Sequence, residues 1–577
     1  MCGIAGTFYF YDDQIVNDFT NNKIIQSLKN RGPDGHSSWT SDDKKVSLIH
    51  TRLSIFDTSE NGKQPMIDCE NRYLITFNGS IFNYKELRNF LIKKGHVFKS
   101  NTDTEVVLNL FKEKGNEFSN FLNGIYAFAI YDKNKRELIL SRDELGVKPL
   151  YYYNDQKKIF FASLVKTVAI NDIKKKINQN SITNFYLYGH IAEPQTIFEN
   201  VIALEPGLTI SINSLGLKTV HKKKLFDSEN IYKSNSKIES LKYINYLIEK
   251  NIKIQNRSDV NCGIFLSSGI DSSKILLHSK KEFKAININF EDYKNTKDYE
   301  GNIPILLTNI NGNELLSKSY NKFEVKKIYE KFLLNMDQPT TDGLNTFLAS
   351  DFASKNNIKI VLSGLGADEI LNGYSFYEYI INFKKFKVLY KNINKLLSQK
   401  RILDYLKKNQ KFLKFNYLLN NSDNLKEFYI NFRKINYENQ ISDINNNLDI
   451  SNVNFFDIKS FDNKNSDLTN IKILELTNYV RNQLLKDSDW TSMSNGVELR
   501  VPFLTKKIIN FALFDPYISK MKKKNIIKFD NSYISKLILN RKKTGFTVPF
   551  QKWFKRNCIE NTDFVLKKYF EINNLNI

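Results

Sequence analysis

A chain of 577 residues is about four ordinary domains long, so two or more domains are expected. Its 41% apolar and 25% charged residues suit a packed core, while only 23 Gly and 10 Pro exclude collagen-like or linker-dominated chains. The net charge is +23, but the excess is Lys scattered among Asn, Ile, Tyr and Phe along the whole chain, so nucleic acid is not the expected partner.

Short runs rich in β-branched and aromatic residues predict strands at Ile4–Phe10, Val46–His50, Leu74–Phe77, Ile125–Tyr131, Leu138–Arg142 and Ile159–Ala162. Apolar residues at helical spacing predict helices over Asn83–Lys93 and Thr104–Lys114, the second with Asp103 as its N-cap. Strands, helices, then strands again read as a layered α+β unit. Turn signals at Glu193-Pro194 and Glu205-Pro206-Gly207 mark a transition from about 171 to 236.

From Ser240 the rhythm changes to helix and buried strand in alternation. A helix over Leu241–Lys253 leads to a strand at 262–266, then a small-residue loop, and further strands at Ala285–Phe290 and Ile358–Leu362. That is the pattern of a parallel sheet with helical crossovers. The stretch from about 375 to 470 is Asn/Lys/Tyr-rich and carries no chemistry of its own. Within it the basic run Lys384–Arg401 has apolar residues at helical spacing and reads as a solvated helix face.

Four cysteines without a C-x-x-C exclude a disulfide scaffold or zinc ribbon. The start Met1-Cys2-Gly3-Ile4 has no basic or long apolar leader, and no uncharged apolar run approaches a membrane span of roughly 18 residues. A cytoplasmic protein with no membrane partner is expected. Removal of Met1 would leave Cys2 with a free amine of pKa near 8, a nucleophile and a base in one residue. Acyl transfer also needs donors for an oxyanion, and Asn78-Gly79, just after an apolar strand, offers an amide side chain and a backbone N–H. On its own Asn-Gly reads first as a hairpin turn. Arg52 suits a substrate carboxylate through its fork, and Asp103 an ammonium group.

Cys2-Gly3-Ile4, Arg31-Gly32-Pro33-Asp34-Gly35, Arg52-Leu53-Ser54-Ile55, Asn78-Gly79 and Ser141-Arg142-Asp143 stand in the order of the class II glutamine amidotransferase domain, which this segment resembles. The resemblance implies an N-terminal-nucleophile hydrolase fold of αββα layers, in which Cys2 releases ammonia from glutamine. Asn78 and Gly79 would form the oxyanion hole, and Arg52, Leu53, Ile55 and Asp103, with Asn78 and Gly79, would bind glutamine. Ser80 departs from the family, which usually has Glu there to help hold the substrate.

In the second half Ser267-Ser268-Gly269-Ile270-Asp271-Ser272-Ser273 joins strand to helix, a loop whose small residues and free N–H groups suit a phosphate. Asp271 opposes a bare phosphate unless a cation such as Mg²⁺ lies between. Ile358–Leu362 ends in a second small-residue corner, Ser363-Gly364-Leu365-Gly366-Ala367-Asp368-Glu369. Two such corners on one parallel sheet open on the same edge, so Asp271 and Asp368 are expected to share the magnesium of a pyrophosphate.

The segment from about Ser240 to Phe554 resembles the synthetase domain of glutamine-hydrolysing asparagine synthetases. Asp337-Gln338-Pro339, Asp342-Gly343, Gly373-Tyr374, Arg500-Val501-Pro502-Phe503-Leu504 and Lys543–Phe550 also follow its pattern. The expected architecture is an amidotransferase unit over 2–205 followed by an α/β parallel-sheet ATP-pyrophosphatase unit with helical additions over 237–557. By resemblance Phe265, Leu266, Ser267, Gly269, Asp271, Ser272, Ile288, Ser363 and Gly364 bind ATP, and Lys524 contacts phosphate. The implied reaction adenylates a carboxylate, aspartate first, and ammonia captures the adenylate; the partners are small molecules, with room for a homodimer.

Three further departures stand out. Ser268 replaces a Gly of the loop, Leu365 stands where asparagine-making members often carry Glu, and Thr505 replaces the Asp after Arg-Val-Pro-Phe-Leu. The Leu-bearing branch resembles homologues found among surface-polysaccharide genes, so another carboxylate such as a sugar uronate is the alternative acceptor. A β-lactam synthetase-like reading has no use for Cys2.

Overall fold

The computed structural model describes residues 2–11, 14–170, 175–294, 296, 299–300, 302–382, 387, 414, 417–442, 462, 464–529, 532–539 and 548–575. The run Lys384–Arg401, apart from Lys387, and residues 543–547 of the last motif lie outside the described residues.

The inner strands of the first unit are buried on both faces nearly throughout, so each sheet is covered on both sides. The first sheet has the order β10-β8-β9-β1-β3-β2, with β1 Gly3–Tyr9, β2 Gly35–Thr40, β3 Val46–Arg52, β8 Tyr151–Asn154, β9 Lys158–Ala162 and β10 Ile202–Ala203. The second runs β12-β11-β7-β6-β5-β4, with β4 Met66–Ile67, β5 Tyr73–Ile81, β6 Gly124–Asp132, β7 Glu137–Arg142, β11 Leu208–Asn213 and β12 Gly216–Lys222. Ile4, Phe8, Leu48, Leu74, Ala129 and Leu140 fill the space between the two sheets. Helix α1, Asp18–Leu28, covers the outer face of the first sheet through Ile24, Ile25 and Leu28. Helices α2, Tyr84–Lys93, and α3, Asp103–Lys114, cover the second through Leu91, Val106, Val107 and Leu110. These are the αββα layers expected. Because β11 pairs with β7, the second sheet runs on to Lys222.

In the second half β13 Cys262–Phe265, β14 Lys284–Phe290, β15 Leu315–Tyr320, β16 Ile360–Leu362 and β17 Glu498–Arg500 form one all-parallel sheet, β15-β14-β13-β16-β17. The inner strands β13 and β16 carry the continuous apolar runs that burial on both faces requires, while the edge strands β15 and β17 are interrupted by polar residues. Apolar clusters join the two halves: in one, Leu53, Phe77 and Val107 from the first pack in the same body as Ile264, Val361 and Leu499 from the second, and in another Ala5 and Phe185 share a body with Ile288 and Phe332. Among the described residues no helix is long and apolar enough to cross a membrane.

Two details differ from the sequence expectation. Asn78 and Gly79 are not a turn; they lie inside β5, paired with Ala127 and Tyr126. The N-cap of α3 is Thr102, whose hydroxyl accepts the Glu105 N–H at 3.2 Å, and Asp103 is the first helical residue. A threonine in extended conformation caps the helix, which frees the Asp103 carboxylate to turn inward.

Candidate active sites at Cys2 and at the parallel-sheet edge

Cys2 sits one residue before β1, buried, and its backbone N–H donates to Asn78 Oδ1 at 3.1 Å. The amide of Asn78 is thereby turned so that Nδ2 is buried with no hydrogen-bond partner among the described residues, a donor held without an acceptor. Such a group costs free energy unless a ligand oxygen satisfies it. Gly79 is required by close approach: a Cβ there would lie 2.2 Å from the Ile125 carbonyl oxygen. Burial pushes the Cys2 thiol above its ordinary range, against the pull of the terminal positive charge, the Leu53 N–H and Arg52.

Arg52, at the end of β3, gives its fork to two loop carbonyls, Ser59 at 2.8 Å and Asp57 at 2.5 Å, so it organises the loop beside Cys2. Leu53 and Ile55 are buried on that loop, and the Ile55 carbonyl accepts the Asp259 N–H of the second half at 3.1 Å. Asp103 Oδ2 accepts the Ile81 N–H at 2.9 Å. Burial pushes its carboxyl up to about 7 against that hydrogen bond, and Glu498 adds to the rise.

Glu498, which the sequence did not single out, and Arg500, which opens the Arg500-Val501-Pro502-Phe503-Leu504 motif, lie on one face of β17 and belong to this neighbourhood. Ser80 Oγ donates to Glu498 Oε1 and Oε2 at 3.0 and 3.2 Å, and Arg500 Nε reaches Glu498 at 2.5 Å. Arg500 also donates to the Gln255 and Arg257 carbonyls and to Ser80 Oγ, and lies over the rings of Phe56 and Phe82. Burial works against the Glu498 carboxylate, yet Arg500 holds it below the usual range. Thus a serine stands where a carboxylate was expected, and the carboxylate in contact with it comes from the parallel sheet. A second buried link ties the halves: Asp489 accepts Arg31 at 2.9 Å and Lys148 at 3.0 Å.

The other site is a cavity of about 790 Å³ at the carboxyl ends of the parallel strands. Phe265, Leu266, Ser267, Gly269, Asp271, Ser272, Ile288, Ser363, Gly364, Asp368 and Lys524 all line it, so the structure brings together every residue expected there. Tyr377, Glu378 and Leu468 also line it, which corrects the reading of 375–470 as a stretch without a part in the site. The loop is braced by Ser272 Oγ, which accepts the Ser267 N–H at 3.1 Å, while Gly269 caps the helix Ile270–His278. Ser268, in place of Gly, has ordinary use: its N–H and hydroxyl both donate to Glu300. Thr505 caps the helix Lys506–Phe514 without a side-chain bond, so the replacement of Asp forfeits a cap. Leu365 lines the cavity and packs against the core.

Asp271 and Asp368 converge on one point, for Lys523 Nζ lies 2.5 Å from a carboxylate oxygen of each. The lysine that reaches them is Lys523, with Lys524 beside it on the cavity wall. Two carboxylates meeting at one cation, next to a phosphate-sized loop, are the hard oxygen donors that Mg²⁺ takes together with phosphate. Burial and the neighbouring Asp368 push Glu369 up to about 7, and its Oε1 accepts the Tyr374 hydroxyl at 2.7 Å. Tyr479, on a π-helical segment over Leu476–Leu485, completes the far wall; such segments gather at functional sites.

Comparison with known proteins agrees with this two-part geometry. Residues 1–223 match the family described as glutamine amidotransferase domain, and residues 244–568 the family described as asparagine synthase. The glutamine-hydrolyzing asparagine synthetase 1 of Bacillus subtilis (strain 168) is 31% identical over 97% of this chain and 89% of its own length. Asparagine synthetase 3 of the same organism is 29% identical over 65% of this chain and 64% of its own. Among solved structures, the allosteric regulatory enzyme of purine biosynthesis aligns at 16% identity over 55% of this chain and 80% of that one, with a TM-score of 0.30, a likeness too slight to bear on the fold.

Proposed function

Because the chain belongs to the glutamine-hydrolysing asparagine synthetase family, we propose that it transfers the amide nitrogen of glutamine to a carboxylate that it first activates with ATP, and that the acceptor is aspartate. The observation that carries this reading is the shared apolar cluster, which runs from Leu53 and Phe77 near Cys2 to the strands that end in the Asp271 and Asp368 corners. In this reading ammonia passes between the two sites inside the protein, since free ammonium in water is a poor nucleophile.

At the first site the Cys2 thiol, with its proton taken by the α-amine freed on loss of Met1, attacks the glutamine side-chain carbonyl, forming a thioester as the C–N bond breaks and ammonia leaves, and water then releases glutamate and restores the thiol. Asn78 Nδ2, held without an acceptor, and the Gly79 N–H meet the oxyanion. Arg52 and Asp103 take the carboxylate and ammonium ends of glutamine, with Leu53 and Ile55 as the floor. At the second site Phe265, Leu266 and Ile288 flank the nucleotide base, and the N–H groups of the Ser267–Ser272 loop face the phosphates. Asp271 and Asp368 would hold Mg²⁺, which supplies neutralising charge to the leaving diphosphate. Ser363 and Gly364 border the phosphorus that is attacked, and Lys524 steadies the phosphate charge. The substrate carboxylate forms a bond to the α-phosphorus as diphosphate departs; ammonia then displaces AMP from the acyl group. The reaction uses small soluble substrates and belongs in the cytoplasm.

The apolar Leu365 on the cavity wall, where asparagine-making members often carry Glu, favours a second reading in which the acceptor is another carboxylate such as a sugar uronate. Release of AMP in the presence of ATP, ammonia and single acids decides between them. Aspartate-dependent AMP release is expected; release with a uronate and none with aspartate would replace the first reading by the second.

A further inference from the structure

The Asp271 and Asp368 carboxylates are built to approach one another. A Cβ at Gly364 would lie 2.7 Å from Asp271 Cβ, and one at Gly373 would lie 1.8 Å from Asp368 Oδ1, so glycine at both places clears the space. The ammonium between them is no stray surface charge. Its side chain is 7% exposed, against 16% and 17% for the two aspartates. Its backbone is pinned from several sides: Asn372 Nδ2 donates to the Ser519 and Met521 carbonyls, Asn245 Nδ2 to that of Ile526 and Lys274 Nζ to that of Lys528. Asn372 belongs to the same loop as Gly373, so one segment places both Asp368 and the lysine.

We propose that Lys523 is the resident counter-ion of the Asp271–Asp368 pair, which bars a free divalent cation until nucleotide brings one, and then turns its ammonium to the polyphosphate. This rests on the reading of that pair as the metal site. Among the described residues two negative charges face one positive, which leaves the pair too weakly charged to strip a divalent cation of water by itself. The polyphosphate supplies the missing negative charge, and the flexible four-carbon stem of a lysine lets one ammonium serve both partners in turn. Metal and nucleotide therefore bind together rather than in sequence.

The test is Mn²⁺ binding to the full-length protein, read by electron paramagnetic resonance, with and without α,β-methylene-ATP. Without nucleotide, Lys523→Gln is expected to bind Mn²⁺ at least about tenfold more tightly than wild type, and Lys523→Arg no better than wild type. With the analogue, wild type binds Mn²⁺ and Asp271→Asn loses it. Should Asp271→Asn keep the analogue-dependent Mn²⁺, the metal reading falls and this proposal with it. Should Asp271→Asn lose it while wild type and Lys523→Gln bind equally without nucleotide, this proposal alone is overturned. If Lys523→Gln does not fold, wild type decides: nucleotide-free Mn²⁺ binding that Asp271→Asn abolishes overturns the proposal, and none upholds it.

Discussion

Replacing Arg500 by Met removes the guanidinium that holds Glu498, while keeping most of the side chain's volume between Phe56 and Phe82. Glu498 would keep the Ser80 hydroxyl as its bonded donor. Without the guanidinium, burial is left to push the Glu498 carboxyl up from below its usual range. Removing one partner of a buried ion pair costs about 3–5 kcal/mol. The sign follows: a carboxyl whose folded pKa lies above its unfolded one contributes stability fully present below the unfolded pKa and lost as pH climbs through the folded value. Arg500→Met should therefore be about 4 kcal/mol less stable than wild type at pH 8, with a smaller deficit at pH 5.5. Urea unfolding followed by tryptophan fluorescence at both pH values measures it. A deficit below 1 kcal/mol at pH 8, or one of equal size at the two pH values, would refute the burial and pairing argument.

Three further outcomes are expected. Cys2→Ala should abolish glutamine-driven synthesis and leave the ammonia-driven reaction intact; glutamine-driven turnover at the wild-type rate would remove Cys2 from the chemistry. Asn78→Ala should lower glutaminase kcat by about a hundredfold or more with little change in KM, since the donor it loses serves the oxyanion; a change confined to KM would assign Asn78 to substrate binding. Glutamine should bind the Cys2→Ala variant about tenfold more weakly at pH 6 than at pH 8, because its ammonium needs Asp103 ionised and that group titrates at about 7; calorimetric affinities flat across this range would take Asp103 out of the pocket.

Much of the fold was legible because its signals are local. Strands β1, β3, β5, β6, β7 and β9 and the helix over Thr104–Lys114 announce themselves by composition and spacing, and the alternation after Ser240 announces a parallel sheet. Some of the missed strands, unlike β8, β11 and β15, lack such signals. β2 reads Gly-His-Ser-Ser-Trp-Thr at a sheet edge, β12 is an exposed edge strand, and β17 is three residues long. The site divided in the same way. Cys2 and Asn78 stand in motifs, and Asp271 and Asp368 follow from two similar corners. The choice between Lys523 and Lys524 depends on the phase of a four-residue turn, Lys523–Ile526, within a run of lysines. The contact of Ser80 with Glu498 spans 418 positions and exists only once the two halves have packed. Glu498 and Arg500 share a face because a strand alternates at period two, but nothing in the sequence says what that face meets.

The central claim is that nitrogen released at Cys2 is consumed where ATP is split. Glutamate, AMP and diphosphate measured together in one reaction, with glutamine as the only nitrogen source and the best acceptor acid, test it most directly. The account predicts that the three accumulate in equal amounts and that diphosphate production requires the acceptor. Glutamate released with no nucleotide consumed, under any acceptor in the panel, would contradict it.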